Sequence, residues 1–291
     1  MSLAACLVCG GAYGPSAVAG LVRCHRCGFV SADIQLGHED LARLYSGQYF
    51  AGEEYRDYVS ERTLIERHFR ARLARLLRFV PSAASKRLFE IGAAYGFFLS
   101  VARDTFQRVE GIDIAADAAA TARELFGLPV VTGDFLAHRI DGPVDVVCLW
   151  DTIEHLARPD LYVQKAAAIL EPGGVLALTT GDIDSWVARW RGAKWRQVHP
   201  PTHLHYFSRA TLTRLLERFG FRVVYVGTEG MTRSADTMAY ILLTIKRRRH
   251  GLYRFLKRTH ALDWHLHLNL RDILFLVAER KQRSSHLSRG W

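Results

Sequence analysis

Between residues 86 and 280 the chain alternates two hydrophobic periods, and nothing else in it narrows the fold as far. Seven short β-rich runs recur: "RLFEIG" (87–92), "RVEGIDI" (108–114), "PVVTGD" (129–134), "VDVVCLWD" (144–151), "VLALTTG" (175–181), "FRVVYVG" (221–227) and "DILFLVAER" (272–280). Helical stretches separate them at 95–105, 115–126, about 160–170 and in "RATLTRLLERF" (209–219). Gly127 and Gly220 stand where helices stop, and Ser208 stands where one begins. Short apolar strands alternating with helices predict an α/β fold with a doubly wound, mainly parallel, seven-stranded sheet. Two insertions break the rhythm. Residues 182–207 carry Trp186, Trp190 and Trp195 with His199, His203 and His205; residues 231–271 carry "KRRRHGLYRFLKR".

In an open α/β sheet, ligands bind at the carboxyl ends of the strands. The first strand ends in "EIGAAYG", with Glu90 two residues before Gly92. A Gly-x-Ala-x-Gly turn admits a ligand close to the backbone, and the following helix offers free N–H groups. It is not the Gly-x-Gly-x-x-Gly of dinucleotide sites, because position 97 is Phe. The next strand ends in Asp113, placed to accept both hydroxyls of a ribose. The third ends in Asp134, placed to meet an adenine amino group, and the fourth in "LWDTIEHL" (149–156). Four consecutive strand ends thus carry polar groups suited to one adenosine-sized ligand. Each acid alone reads equally as a solvated loop residue or a helix cap.

Four of the five cysteines fall within the first 27 residues, as Cys6-x-x-Cys9 and Cys24-x-x-Cys27, each pair followed by Gly. Two thiolates at this spacing hold one tetrahedral ion from a single turn, and two such turns make a four-sulfur zinc ribbon. Disulfides, free thiols and an iron–sulfur cluster are the alternatives. A closed four-Cys site leaves no open coordination position, so no catalysis is expected there. Cys148, inside an apolar strand, reads as a buried core thiol. The expected organisation is a ribbon over 1–35, a helical linker or lid over 36–82 and the sheet domain over 83–285. The linker reads as an amphipathic helix from about 53 to 79, ended by Pro81. Tyr45, Tyr49, Phe50, Tyr55 and Tyr58 offer it either a lid over a ligand or a packing face.

On these residues the chain resembles the class I S-adenosylmethionine-dependent methyltransferases. "EIGAAYG" matches motif I, Asp113 the ribose acid, "GDF" the adenine loop and "LWDTIEHL" motif IV, with "LEPGGVLALTT" after it. The resemblance spans about 86–230, and 272–280 fits an antiparallel last strand. It implies S-adenosylmethionine as cofactor, held by Glu90, Gly92, Ala94, Tyr95, Gly96, Asp113, Ile114, Asp134, Phe135, Trp150 and Asp151. Ala94 departs from the family's middle Gly. Over its full length the chain is similar to zinc-ribbon methyltransferases of bacterial sugar and natural-product pathways, through the ribbon, "LYSGQYF", "EYRDY", "IEHL" and "HLHYFSRATLTRLLERFGF". This implies a hydroxyl or carbon acceptor on a small molecule such as a nucleotide-linked sugar.

Transfer to a hydroxyl or carbon acid needs a base, and His has the unperturbed pKa for it. His155, His199, His203 and His205 are the candidates, with His155 and His203 fitting the family pattern best; each reads equally as a structural hydrogen-bonding residue. The same region also reads as a divalent-ion site of Asp151, Glu154, His155 and His203. Trp186, Trp190 and Trp195 with Tyr206 form either a sugar-stacking wall or an inward helix face.

The chain has 39 Lys and Arg against 29 Asp and Glu, a formal charge of +10. That favours acidic partners and keeps a rival in view, an RNA methyltransferase holding its substrate with the ribbon and the basic 246–258 stretch. A solvated helix, or one lying on an anionic membrane, is the other reading of 246–258. The second rival is a non-catalytic cofactor-binding scaffold. No signal-peptide pattern or membrane-length apolar run is present, so the expected location is the cytoplasm.

Overall fold

The computed structural model describes residues 5–34, 36–44 and 62–282. The tyrosine and phenylalanine cluster at 45–58, expected as lid or packing face, lies outside the described residues. Element order is β1 (Tyr13–Pro15), β2 (Leu21–Cys24), β3 (Val30–Ala32), α1 (His38–Leu44), α2 (Arg62–Leu76), β4 (Arg87–Ile91), α3 (Phe97–Ala102), β5 (Arg108–Asp113), α4 (Ala116–Phe126), β6 (Val130–Thr132), β7 (Val144–Trp150), α5 (Pro159–Ile169), β8 (Leu170–Gly181), α6 (Trp186–Arg191), β9 (His205–Tyr206), α7 (Arg209–Arg218), β10 (Phe221–Thr228), β11 (Met231–Ser234), α8 (Ala235–Ala239), α9 (His250–Arg258), β12 (His265–Leu268) and β13 (Ile273–Arg280).

Seven strands form one sheet in the order β10-β13-β8-β7-β4-β5-β6. β4, β5, β6, β7 and β8 are parallel; β13 runs antiparallel to both β8 and β10. All seven correspond to the β-rich runs in the sequence, and the last is the antiparallel one. The runs are nearly continuous in apolar residues because both faces are covered. Phe89, Ile91, Val147, Leu149, Leu176 and Leu178 pack to one side against α5 and α7. Leu88, Val146, Cys148, Trp150, Val175 and Ala177 pack to the other against α2, α3 and α4. Cys148 is fully buried there, in keeping with a core thiol.

Helix ends follow local chemistry. Ser208 caps α7 in a reciprocal box with Thr211: each residue's backbone N–H meets the other's hydroxyl. Gly127 ends α4 at φ 63°, its N–H donating to the Arg123 carbonyl.

The cysteine-rich segment is not a separate bead. Its three strands are joined by a fourth, β9, from the first insertion, giving the order β1-β2-β3-β9. Val30 pairs with Tyr206 and Ser31 with His205. Cys6, Val8, Cys24 and Phe29 share one core with Phe207, Leu212, Leu215 and Leu216 of the sheet domain. The Arg218 guanidinium closes the seam by donating to the Leu7 carbonyl at 2.8 Å.

Candidate active site

A cavity of about 510 Å³ opens at the carboxyl ends of β4, β5 and β7. Its volume lies in the range that holds a drug-sized ligand. Of the residues expected at a cofactor site, it is lined by Glu90, Gly92, Ala94, Tyr95, Asp113, Ile114, Phe135, Trp150 and Asp151; His155, His199 and His203 line it too. Gly96 and Asp134 do not. A Cβ on Gly96 would meet Leu128 at 2.8 Å and Ala122 at 2.9 Å, so this glycine lets α3 lie against α4. Asp134 accepts hydrogen bonds from the Tyr162 hydroxyl at 2.6 Å and the Leu136 N–H at 2.9 Å, while its neighbours Gly133 and Phe135 face the cavity.

The turn after β4 is shaped by its small residues. Gly92, at φ 76°, leaves room for Thr152, whose Oγ1 would stand 2.6 Å from a Cβ there. Ala94 takes φ 45°, a left-handed conformation that costs a residue with a Cβ about 1–2 kcal/mol. Its N–H donates to Asp113 Oδ2 at 2.7 Å, and the Ala115 N–H donates to Oδ1 at 2.8 Å. Asp113 is therefore fixed by one backbone bond per oxygen, and each oxygen keeps acceptor capacity for a hydroxyl.

Beside it, Glu90 is 2% exposed and its Oε2 has no protein partner. Burial, with the charge of Asp113 added, pushes the Glu90 carboxyl well above the usual range, and Arg72 offsets part of this. Burial raises Asp113 as well, against the pull of the Ala115 and Ala94 N–H groups. The Trp150 indole nitrogen and Glu154 Oε2 are likewise buried without a partner. Three unpaired buried polar atoms on residues lining one cavity are costly unless a polar ligand meets them.

Across the cavity three imidazoles meet. The His155 and His203 ring centres are 4.5 Å apart, and those of His199 and His203 are 3.8 Å apart. His155 Nδ1 lies 2.8 Å from the Thr202 carbonyl, so Nδ1 carries the proton and Nε2 is the basic nitrogen. His203 is buried. That burial, with His155 and His199 nearby, drives its pKa far down and keeps it neutral. Burial pushes Glu154 up to about 8, with the charge of Asp151 adding to it. Glu154, His155 and His203 each place a ligand atom within 4.8 Å of the others. Asp151 is held elsewhere: its Oδ2 accepts from Arg72 at 2.7 Å, and Thr179 donates to Oδ1.

Arg72 was not visible as a site residue in the sequence. It comes from α2, pairs with Asp151 and Glu229, and lies 5.5 Å over the Trp150 ring. His68, one turn earlier, accepts the Thr232 N–H at 2.9 Å, so α2 is tied down over the cavity. The signal was an arginine on the apolar stripe of a helix, three residues after Phe69 and four before Leu76.

The aromatic wall did not form. Trp186 and Trp190 stack on each other outside the protein, 63% and 75% exposed. Trp195 is buried and donates its indole N–H to Asp272 at 3.0 Å. His205 also leaves the cavity: it stacks on Phe29 and bonds Ser31 Oγ at 3.0 Å.

At the other end of the ribbon the four thiols cluster. Cys6 and Cys27 Sγ are 3.5 Å apart, as are Cys9 and Cys24, and all four lie within 4.8 Å of one another. That is far longer than a disulfide bond and close to the edge of about 3.8 Å that a tetrahedron with metal–sulfur bonds of about 2.3 Å requires. Gly10 and Gly28 turn the two knuckles at φ 73° and 77°.

The sheet order and the cavity at its carboxyl edge define the doubly wound methyltransferase fold. Solved structures of that shape include the YcgJ protein of Bacillus subtilis (TM-score 0.54, 14% identity, covering 73% of this chain and 99% of that one). A SAM-dependent methyltransferase from Archaeoglobus fulgidus is similar in the same way (TM-score 0.50, 18% identity, covering 80% and 96%). Residues 64–226, more than half of the sequence, match the family described as methyltransferase domain, and the chain belongs to that family. Curated relatives include the ubiquinone biosynthesis O-methyltransferases of Burkholderia pseudomallei, 26% identical over 155 residues, and of Caulobacter vibrioides, 29% identical over 151. These matches cover 48% and 47% of this chain and 66% and 59% of the relatives, less than two thirds of either. Among the described residues no helix is long and apolar enough to cross a membrane.

Proposed function

We propose that the protein transfers a methyl group from S-adenosylmethionine to a hydroxyl or carbon of a small-molecule acceptor, with His155 as general base. One observation carries the reading: a single cavity has Asp113 and Glu90 on one wall and the imidazoles of His155, His199 and His203 on another. When bound, the cofactor supplies a methyl group on a positively charged sulfur. Asp113 would accept the ribose hydroxyls, and the left-handed turn at Gly92–Ala94 would let the cofactor approach the backbone. Nε2 of His155 would take the acceptor proton as the acceptor's bond to the methyl carbon replaces that carbon's bond to sulfur, the neutral thioether S-adenosylhomocysteine being the leaving group. His203, neutral and buried, would keep the neighbouring positive charge low so that His155 stays a base. The O-methyltransferase names of two relatives favour a hydroxyl acceptor, and the full-length resemblance favours a nucleotide-linked sugar or natural-product precursor.

The four thiols fit one structural zinc, held by Cys6, Cys9, Cys24 and Cys27. A second reading of the histidine end rests on Glu154, His155 and His203, whose donors suit a divalent cation. A cation there supplies Lewis acidity toward an acceptor hydroxyl.

Calorimetric titration with S-adenosylmethionine and S-adenosylhomocysteine tests the first reading, with Asp113→Ala and Gly92→Val alongside. Micromolar binding lost in both variants is the expected result; unchanged affinity in both would refute the site. Repeating it with nucleotide sugars and with phenolic acceptors identifies the acceptor class. Activity that survives chelation and His203→Ala rejects the divalent ion. Metal analysis should find close to one zinc per chain, lost in Cys24→Ser.

A further inference from the structure

We infer that the second insertion is a docking surface for anionic phospholipid membrane, set beside the mouth of the cavity. Residues 231–271 contain nine Lys and Arg against two Asp, a net +7 out of the chain's +10. They fold around a small core of their own: Ala235, Tyr253 and Leu262 are buried, with Leu243 and Leu256 against them. α9 is fastened from inside, where the Tyr253 hydroxyl and Lys257 both bond Asp236. The module is thus built, yet it leaves its other apolar residues in water. Leu252 and Phe255, three apart on one face of α9, are exposed, Phe255 at 63%. Trp264, Leu268 and Leu270, further along the same insertion, are exposed too. Arg247, Arg248, Arg249, Arg254, Arg258 and Arg271 of the same insertion are exposed as well.

Exposed apolar side chains together with many exposed cations are what a helix lying in the headgroup layer presents. The aliphatic members decide against nucleic acid. Leucines give nothing to a phosphate and stack poorly on bases, whereas they gain by entering acyl chains. The location fits a delivery role. β10 runs parallel to β8, so the insertion leaves the sheet at the same carboxyl edge as the cavity, and Thr232 and Ser234 at its base line that cavity. The exposed pair Trp186 and Trp190 leaves that edge too, just after β8, whose last residue Gly181 pairs with Ile273. Indole rings favour the membrane interface.

The test is vesicle flotation of the full chain. One vesicle is phosphatidylcholine alone; the other has a third of its lipid replaced by phosphatidylglycerol. Binding to the second and not the first, weakened by salt, is expected. Leu252→Glu with Phe255→Glu should abolish it. Arg254→Gln with Arg258→Gln should weaken it about fivefold per arginine. Both variants should keep S-adenosylhomocysteine affinity and melting temperature, and the charge variant leaves the apolar face intact should the other misfold. Binding that is absent from both vesicles, equal on both, or displaced by oligouridine overturns the proposal.

Discussion

The two segments that interrupt the sheet's rhythm look alike in sequence, each with tryptophan, histidine and several arginines, and they fold in opposite senses. From Trp195 onward, residues 182–207 are drawn inward by acceptors that lie elsewhere in the chain, while Trp186 and Trp190 stay outside. Asp272 takes the Trp195 indole and the Arg196 guanidinium, the Glu154 carbonyl takes the Leu204 N–H, and β3 takes β9. Residues 231–271 meet mostly themselves, through the antiparallel pairing of β11 with β12 and through Asp236. Aromatic content did not distinguish the two. Charge did, at a net +2 for the first and +7 for the second. A cation-rich segment resists burial because each charge must be paired or left in water. Here Phe255 and Trp264 stayed outside with the charge, while Tyr253 fills the insertion's own small core.

The sharpest test of the contrast is chemical. His155→Ala, whose orientation depends on the Thr202 carbonyl of the first insertion, should lower turnover about 10²–10⁴-fold with cofactor affinity unchanged. Steady-state kinetics with the acceptor found in the panel above, beside cofactor titration, checks this. A comparable loss on mutating the second insertion's Trp264 would break the comparison. In stability, Trp195→Ala should cost about 3–5 kcal/mol, as for a large buried side chain, while Trp190→Ala and Trp264→Ala should stay within about 0.5 kcal/mol. Urea unfolding of the three variants reads both values.

The inward segment should also make the fold acid-sensitive. Burial lowers His205 to about 4. Its unfolded pKa is about 6.5, so between these values the unfolded chain binds a proton that the native one refuses. Stability is full above about pH 6.5 and falls toward pH 4, by up to about 3 kcal/mol from this residue. His205→Phe should flatten that limb of a melting-temperature profile. The smallest effect lies outside both insertions. Ala94→Gly should relieve the left-handed strain, gaining about 1 kcal/mol or less, since glycine's added freedom in the unfolded chain offsets part.

What the sequence revealed and what it hid divides along the same line. Strands such as "VDVVCLW" and helices such as "RATLTRLLERF" were legible because their periods are local, and Ser208 and Gly127 mark boundaries by local chemistry. Glu90, Asp113 and His155 were legible as pocket residues because each lies at, or in the turn just beyond, a strand end on the sheet's ligand edge. Arg72 was not, because its partners Asp151 and Glu229 lie 79 and 157 residues away. The exposure of Trp186 and Trp190 was hidden too: spacing places them on one face of α6 without saying what lies opposite.

The pairing of β3 with β9 has a consequence for synthesis. Ser31 waits for a partner 174 residues further along, His205. At ribosomal speeds of about 5–20 residues per second, roughly 9–35 s separate the two. For that interval the ribbon exists as three strands with a bare edge, on a nascent chain, among other nascent chains. On the proposal that a metal ion holds the four thiols, its supply during translation should govern how much of this ribbon is ready when β9 arrives.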